Sequence, residues 1–146
     1  MTKTGTKTGT KTGHCLCGAV TFTGEDVPHE IGACHCAQCR RWASGPYFAV
    51  STPGLRFEGE ENIGRYRSSD WAERGFCKLC GSSLFYRMIK EDRYMMAVGS
   101  FDDQSEFELT HQVFIDEKPG FYAFAQETKI STGDDFFVRF ADLKGA

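Results

Sequence analysis

The chain reads as a mainly β protein, and three observations predict it. Short runs rich in β-branched and aromatic residues recur from His14 onward, each closed by Gly, Pro, Asp or Ser. No stretch sustains the apolar period of a long helix. The chain has thirteen phenylalanines, several of them within these runs, which suits aromatic faces of packed sheets rather than a cofactor pocket.

Taken in chain order, residues 2–13 are three copies of TKTG without one apolar side chain to offset the entropy of ordering. Residues 1–13 are therefore expected to form a flexible extension, and residues 14–146 a single domain large enough to bury a core without staples. Within that domain AVTFTG, PYFAVS, LRFEG, SLFYRM, RYMMAVG and HQVFID are the expected strands. CAQCRRWA is expected to close one helical turn, and SSDWAERGF to begin another with Ser69 or Asp70 as its cap.

Charge narrows the function classes. Residues 14–146 carry 14 basic and 20 acidic side chains, a net −6 that disfavours non-specific nucleic-acid binding, while Lys3, Lys7 and Lys11 lie in the repeat. No apolar run approaches the roughly 20 residues of a membrane span, and the start is polar where a signal peptide needs a hydrophobic block. The expectation is a soluble, cytoplasmic protein with no membrane partner.

Seven cysteines, an odd number, read in a reducing compartment as metal ligands or reactive groups rather than as bridges. They fall into CLC at 15 and 17, CHCAQC at 34, 36 and 39, and CKLC at 77 and 80. In a strand, positions i and i+2 share a face, so Cys15 and Cys17 can present two thiolates to one point. Cys77 and Cys80, followed by Gly81, have the spacing of a zinc knuckle. Together the four would close a tetrahedral structural zinc site tying residue 15 to residue 80. The other reading of these pairs is buried small side chains plus a redox couple.

Cys34 and Cys36 share a face by the same rule, and the turn after them returns Cys39. Three thiolates without a fourth cysteine match the open coordination of catalytic zinc. The alternative is a second structural site completed by His35, another histidine or a carboxylate, although His35 alternates to the opposite face. Arg40 and Arg41 follow directly, as candidates for charge balance and for anchoring an anionic ligand. Tyr47, Phe48 and Phe85 are candidates for a pocket wall or for the core, and His14 and His111 for ordinary structural histidines.

In this order HCLCGAVTF, ACHCAQCRRWASGPYFAV, RYRSSDWAERGFCKLCGSSLFYR, AVGSFDD and HQVFIDEKPGFY resemble the glutathione-dependent formaldehyde-activating enzyme (GFA) or centromere-protein-V domain family, from His14 to about residue 140. The resemblance implies a tent-like complex of several small antiparallel sheets stabilised by zinc, similar to small Rab-binding zinc chaperones. It also implies two Zn2+ per chain, a structural one on Cys15, Cys17, Cys77 and Cys80 and a catalytic one on Cys34, Cys36 and Cys39. The implied activity is that of a carbon-sulfur lyase joining formaldehyde, or a related electrophile, to the thiol of glutathione. Its partners would be a small thiol and an aldehyde; no residue declares itself as the proton donor. The competing readings are a zinc-stabilised binding module, a glutathione carrier without catalysis, and a metal or redox sensor.

Overall fold

A computed structural model describes residues 7–139. Strands β1 (Thr8–His14), β2 (Thr21–Pro28) and β3 (Glu30–Cys34) lead into helix α1 (Ala37–Ala43). Strands β4 (Tyr47–Ser51), β5 (Arg56–Glu58), β6 (Ile63–Arg67), β7 (Ala72–Cys77), β8 (Ser83–Met88) and β9 (Arg93–Ala97) follow. The described part ends with β10 (Glu108–Val113), β11 (Lys129–Ile130) and α2 (Gly133–Arg139).

Two sheets result. The smaller has the order β1-β2-β5, and the larger β11-β10-β3-β4-β9-β8-β7-β6. The fold is mainly β as expected, and all the strands expected from the sequence form. Pairing is antiparallel except around β10, which runs parallel to both β3 and β11. That parallel edge brings residues 108–113 beside the strand that ends at Cys34. No helix among the described residues is long and apolar enough to cross a membrane.

The core lies where the sheets meet. Phe22 and Val27 of β2 pack with Val50, Leu84, Phe85 and Met96 of the larger sheet and with Val20, Val98 and Phe101 from connections. Each such side chain contributes about 1.5–3 kcal/mol by leaving water. Edge-on ring contacts fix the arrangement, with Phe22–Phe101 centroids 5.1 Å apart at 87° and Phe85–Tyr94 at 4.9 Å. Phe85 is therefore core, not pocket wall.

Two expectations are corrected. The TKTG repeat was read as flexible to residue 13, yet residues 8–14 form β1 against β2; residues 1–6 lie outside the described part. The repeat works as a strand because its period is two: Thr8, Thr10 and Thr12 face solvent while Lys11 and Gly13 are buried. Lys11 lays its stem over the Phe107 ring and donates to Glu106 at 2.9 Å, so a long charged side chain supplies the apolar cover the repeat otherwise lacks. SSDWAERGF was expected to start a helical turn, but Ala72–Cys77 pairs on both sides, with β6 and β8, and those ladders satisfy its backbone.

Candidate functional site

Cys15 and Cys17 do not occupy a strand. They follow β1 in a tight turn in which the Gly18 amide donates to the Cys15 carbonyl at 3.0 Å, a correction to the expected alternation. Cys77 and Cys80 lie in a second turn, one residue wider, the Gly81 amide donating to the Cys77 carbonyl at 2.8 Å. Gly18 and Gly81 both adopt φ of 81°, and a Cβ at either would meet nothing within 4 Å. The left-handed backbone, not crowding, therefore calls for glycine at both turns.

The two turns face each other. The Sγ atoms of Cys15, Cys17, Cys77 and Cys80 all lie within 4.8 Å of one another, with Cys15–Cys17 at 3.7 Å and Cys17–Cys77 at 3.8 Å. Four sulfurs at about 2.3 Å from a zinc ion would stand about 3.8 Å apart in a tetrahedron, so the donor set fits that metal. All four are free thiols. Amides of Val20 and Leu79 donate to the sulfurs of Cys15 and Cys77 at 3.4 Å. The Leu16 amide donates to Ser82 Oγ at 2.9 Å and ties one turn to the other.

The second cluster sits where β3 passes into α1. Cys34 ends the strand, Cys36 caps the helix with extended backbone at φ −64° and ψ 158°, and Cys39 lies in its first turn. The Cys39 amide donates to Cys36 Sγ at 3.4 Å, and the three sulfurs lie within 4.8 Å of one another. No His, Asp, Glu or other Cys joins that group among the described residues. Hydrogen bonds from Cys34 and Cys39 pull the Cys36 thiol down to about 2, helped by the Arg74 charge and opposed by burial. The bond to Cys36, then that to Cys39, and burial push Cys34 up, so the negative charge of the trio gathers on Cys36.

His35 points away, as alternation requires. Its ring is buried, with Nδ1 2.7 Å from Tyr122 Oη and Nε2 2.7 Å from Gln112 Oε1. Because Gln112 Nε2 donates to Thr128 Oγ1 at 2.8 Å, its Oε1 faces His35 and accepts from Nε2, leaving Nδ1 to accept from Tyr122. Burial favours this neutral ring by lowering its pKa.

The trio borders a cavity of about 540 Å³. Arg74, Arg93 and Arg139 line it, and Arg40 and Arg41 do not. Arg40 instead donates from Nε to the His35 carbonyl at 2.9 Å, bracing the turn behind the sulfurs. Tyr47 lines the cavity, whereas Phe48 packs on the core and on Phe124.

Arg74 is the residue that sequence reasoning missed. It is 4% exposed, its Nη1 lies 3.5 Å from Cys39 Sγ, and Nη2 donates to Gln38 Oε1 at 3.4 Å. The guanidinium lies over the Trp42 ring at 5.1 Å and the Tyr86 ring at 4.9 Å. Tyr86 Oη in turn accepts from Trp71 Nε1 at 3.2 Å, and burial pushes its pKa up to about 12. The available signal was an arginine among the apolar residues of Ala72–Cys77, a segment expected instead to lie in the start of a helical turn.

Comparison with known proteins agrees with this architecture. The family model for the glutathione-dependent formaldehyde-activating enzymes matches residues 10–117. A lyase of Schizosaccharomyces pombe, described as uncharacterized, is 36% identical over 125 residues, 84% of this chain and 91% of its own. A Halomonas elongata protein provisionally named as a glutathione-dependent formaldehyde-activating enzyme is 32% identical over 83 residues, 50% of this chain and 53% of its own. Among solved structures, a Rhodobacter sphaeroides protein superposes with a TM-score of 0.52 at 26% identity, over 62% of this chain and 87% of that one. With the match spanning both cysteine clusters and most of both sheets, the chain belongs to the glutathione-dependent formaldehyde-activating enzyme family.

Proposed function

We propose that this protein is a zinc-dependent carbon-sulfur lyase that adds the thiol of glutathione to formaldehyde or a related small aldehyde. In this reading Cys15, Cys17, Cys77 and Cys80 hold a structural zinc, and Cys34, Cys36 and Cys39 a second one with a position left open. The observation that carries it is the convergence of just three sulfurs on the wall of a cavity. Its volume, about 540 Å³, falls in the range of small-molecule sites.

A zinc ion held by the trio would supply a Lewis-acid position at which a thiol ionises near neutral pH. The protein's own residues do the rest. Met88, Met95, Phe136 and Phe137 give the cavity apolar walls that exclude water. Arg93 and Arg139 offer cations to the carboxylates of a peptide thiol, a task the sequence had given to Arg40 and Arg41. In the reaction the sulfur forms a bond to the aldehyde carbon, the carbonyl π pair moves to oxygen, and that oxygen takes a proton. Tyr86 accepts from Trp71, so its own hydroxyl proton is free to stabilise the developing oxyanion.

Calorimetric titration of the metal-loaded protein with glutathione, followed by exchange NMR of the formaldehyde adduct, tests the reading. Binding tighter than about 1 mM with faster adduct exchange is expected. Binding without acceleration would make the protein a carrier, and no binding at millimolar concentration would overturn the assignment.

A further inference from the structure

We propose that Arg74 sets the charge of the three-thiol site so that its open position takes an anionic sulfur in preference to a neutral donor. The inference rests on the open-site reading above and adds what selects the ligand there.

Three thiolates around a divalent cation carry a formal −1, and a fourth thiolate raises this to −2. In a buried wall that second charge is costly without a compensating cation. Arg74 stands where the cost arises, with Nη1 at 3.5 Å from Cys39 Sγ and with 4% of its surface exposed. Its charge is permanent, since a guanidinium does not deprotonate in proteins. No carboxylate pairs with Arg74 among the described residues. Glu73, its neighbour in β7, is turned to Arg65 and Arg87.

The surroundings keep the guanidinium strong and fixed. The Trp42 and Tyr86 rings against it displace water, which lowers screening and raises the weight of its field at the sulfurs. Gln38 holds Nη2, so the fork has one orientation. Nε, one of the donors left over, is buried without a hydrogen-bond partner among the described residues, and Arg74 lines the cavity. A buried arginine on the cavity wall with no acid partner among the described residues supplies the cation that a site for an anion requires.

The test uses the full chain loaded with Co2+, whose sulfur-to-metal absorption reports the fourth ligand. Titration with 2-mercaptoethanol, which has no carboxylate, and with imidazole compares an anionic with a neutral donor at the same position. Arg74→Met is expected to weaken thiol binding by about tenfold or more while imidazole binding moves by less than about twofold. Arg74→Lys, which keeps the charge, is expected to restore thiol binding to within about threefold. Gln38→Glu changes an exposed side chain and sets a carboxylate on Nη2, and is expected to weaken thiol binding by about threefold or more with imidazole unchanged. Should Arg74→Met fail to fold, Gln38→Glu decides alone. Equal losses for both ligands, or unchanged thiol affinity in the variants, would overturn the role of Arg74. A wild-type protein that responds to neither ligand would instead sink the open site itself.

Discussion

The sulfurs of Cys17 and Cys77 lie 3.8 Å apart although 60 residues separate them in the chain. A metal held at that point would close a long loop and join the end of the small sheet to the large one, so its binding energy would be folding energy. We expect Cys77→Ser to lose about one metal ion per chain and at least about 3 kcal/mol of stability, a fall in Tm of about 10 °C. Metal analysis beside thermal unfolding checks this; a loss of metal with Tm unchanged would show the quartet to be dispensable.

Cys34, Cys36 and Cys39 span only one strand end and one helical turn, so closing them restrains little chain. Cys34→Ser is expected to remove a second metal ion while Tm moves by less than about 4 °C. A mild chelator should take this ion first. Metal content before and after brief chelation, read in wild type and variant, separates the two sites.

The cysteine clusters were legible because their geometry is local: two tight turns and one strand-to-helix corner each gather their own thiols. Strands such as SLFYRM and RYMMAVG were legible for the same reason, through β-branched and aromatic runs. Arg74 was not, because which side of β7 meets the trio depends on pairing with β6 and β8 and on the distant α1. The parallel seam of β10 on β3 is set by contacts about 80 residues apart, beyond any local pattern. Arg40 and Arg41 stand out in the sequence through adjacency to the trio, yet neither lines the cavity, since neighbours in a helix point in different directions.

Gly13 is the tightest point of the strand hidden in the repeat. A Cβ there would lie 2.3 Å from the Ser100 carbonyl oxygen and 2.4 Å from the Phe22 ring. Neither can yield cheaply, so Gly13→Ala is expected to cost about 2–3 kcal/mol in urea unfolding. At Gly9 a Cβ meets nothing within 4 Å, and Gly9→Ala should stay within about 0.5 kcal/mol. Equal effects at both positions would count against β1.

His111 makes stability depend on pH. Burial lowers its pKa below the ordinary 6.5, against the pull of Glu30 and with help from Arg139 and Lys129. The unfolded chain then binds the proton at a higher pH than the folded one, so stability is retained above about 6.5 and declines as pH falls toward the folded pKa. Urea midpoints measured between pH 7 and 5 should fall less steeply for His111→Gln than for wild type. An unchanged slope would show that the ring titrates alike in both states.

On the proposed function, carboxylate recognition would fall to the cavity and not to the helix. Arg93 lines the cavity, and no acid pairs with it among the described residues. Arg41 is exposed on α1 and does not line it. A charge-assisted hydrogen bond to a carboxylate is worth about 1.5–3 kcal/mol, so Arg93→Ala should weaken glutathione binding by about tenfold or more. Arg41→Ala should change it by less than about twofold. Because 2-mercaptoethanol has no carboxylate, its affinity should be the same in wild type and Arg93→Ala, which separates anchoring of the peptide from events at the sulfur. Loss of glutathione binding in Arg41→Ala, with Arg93→Ala unaffected, would return the anchoring role to the helix.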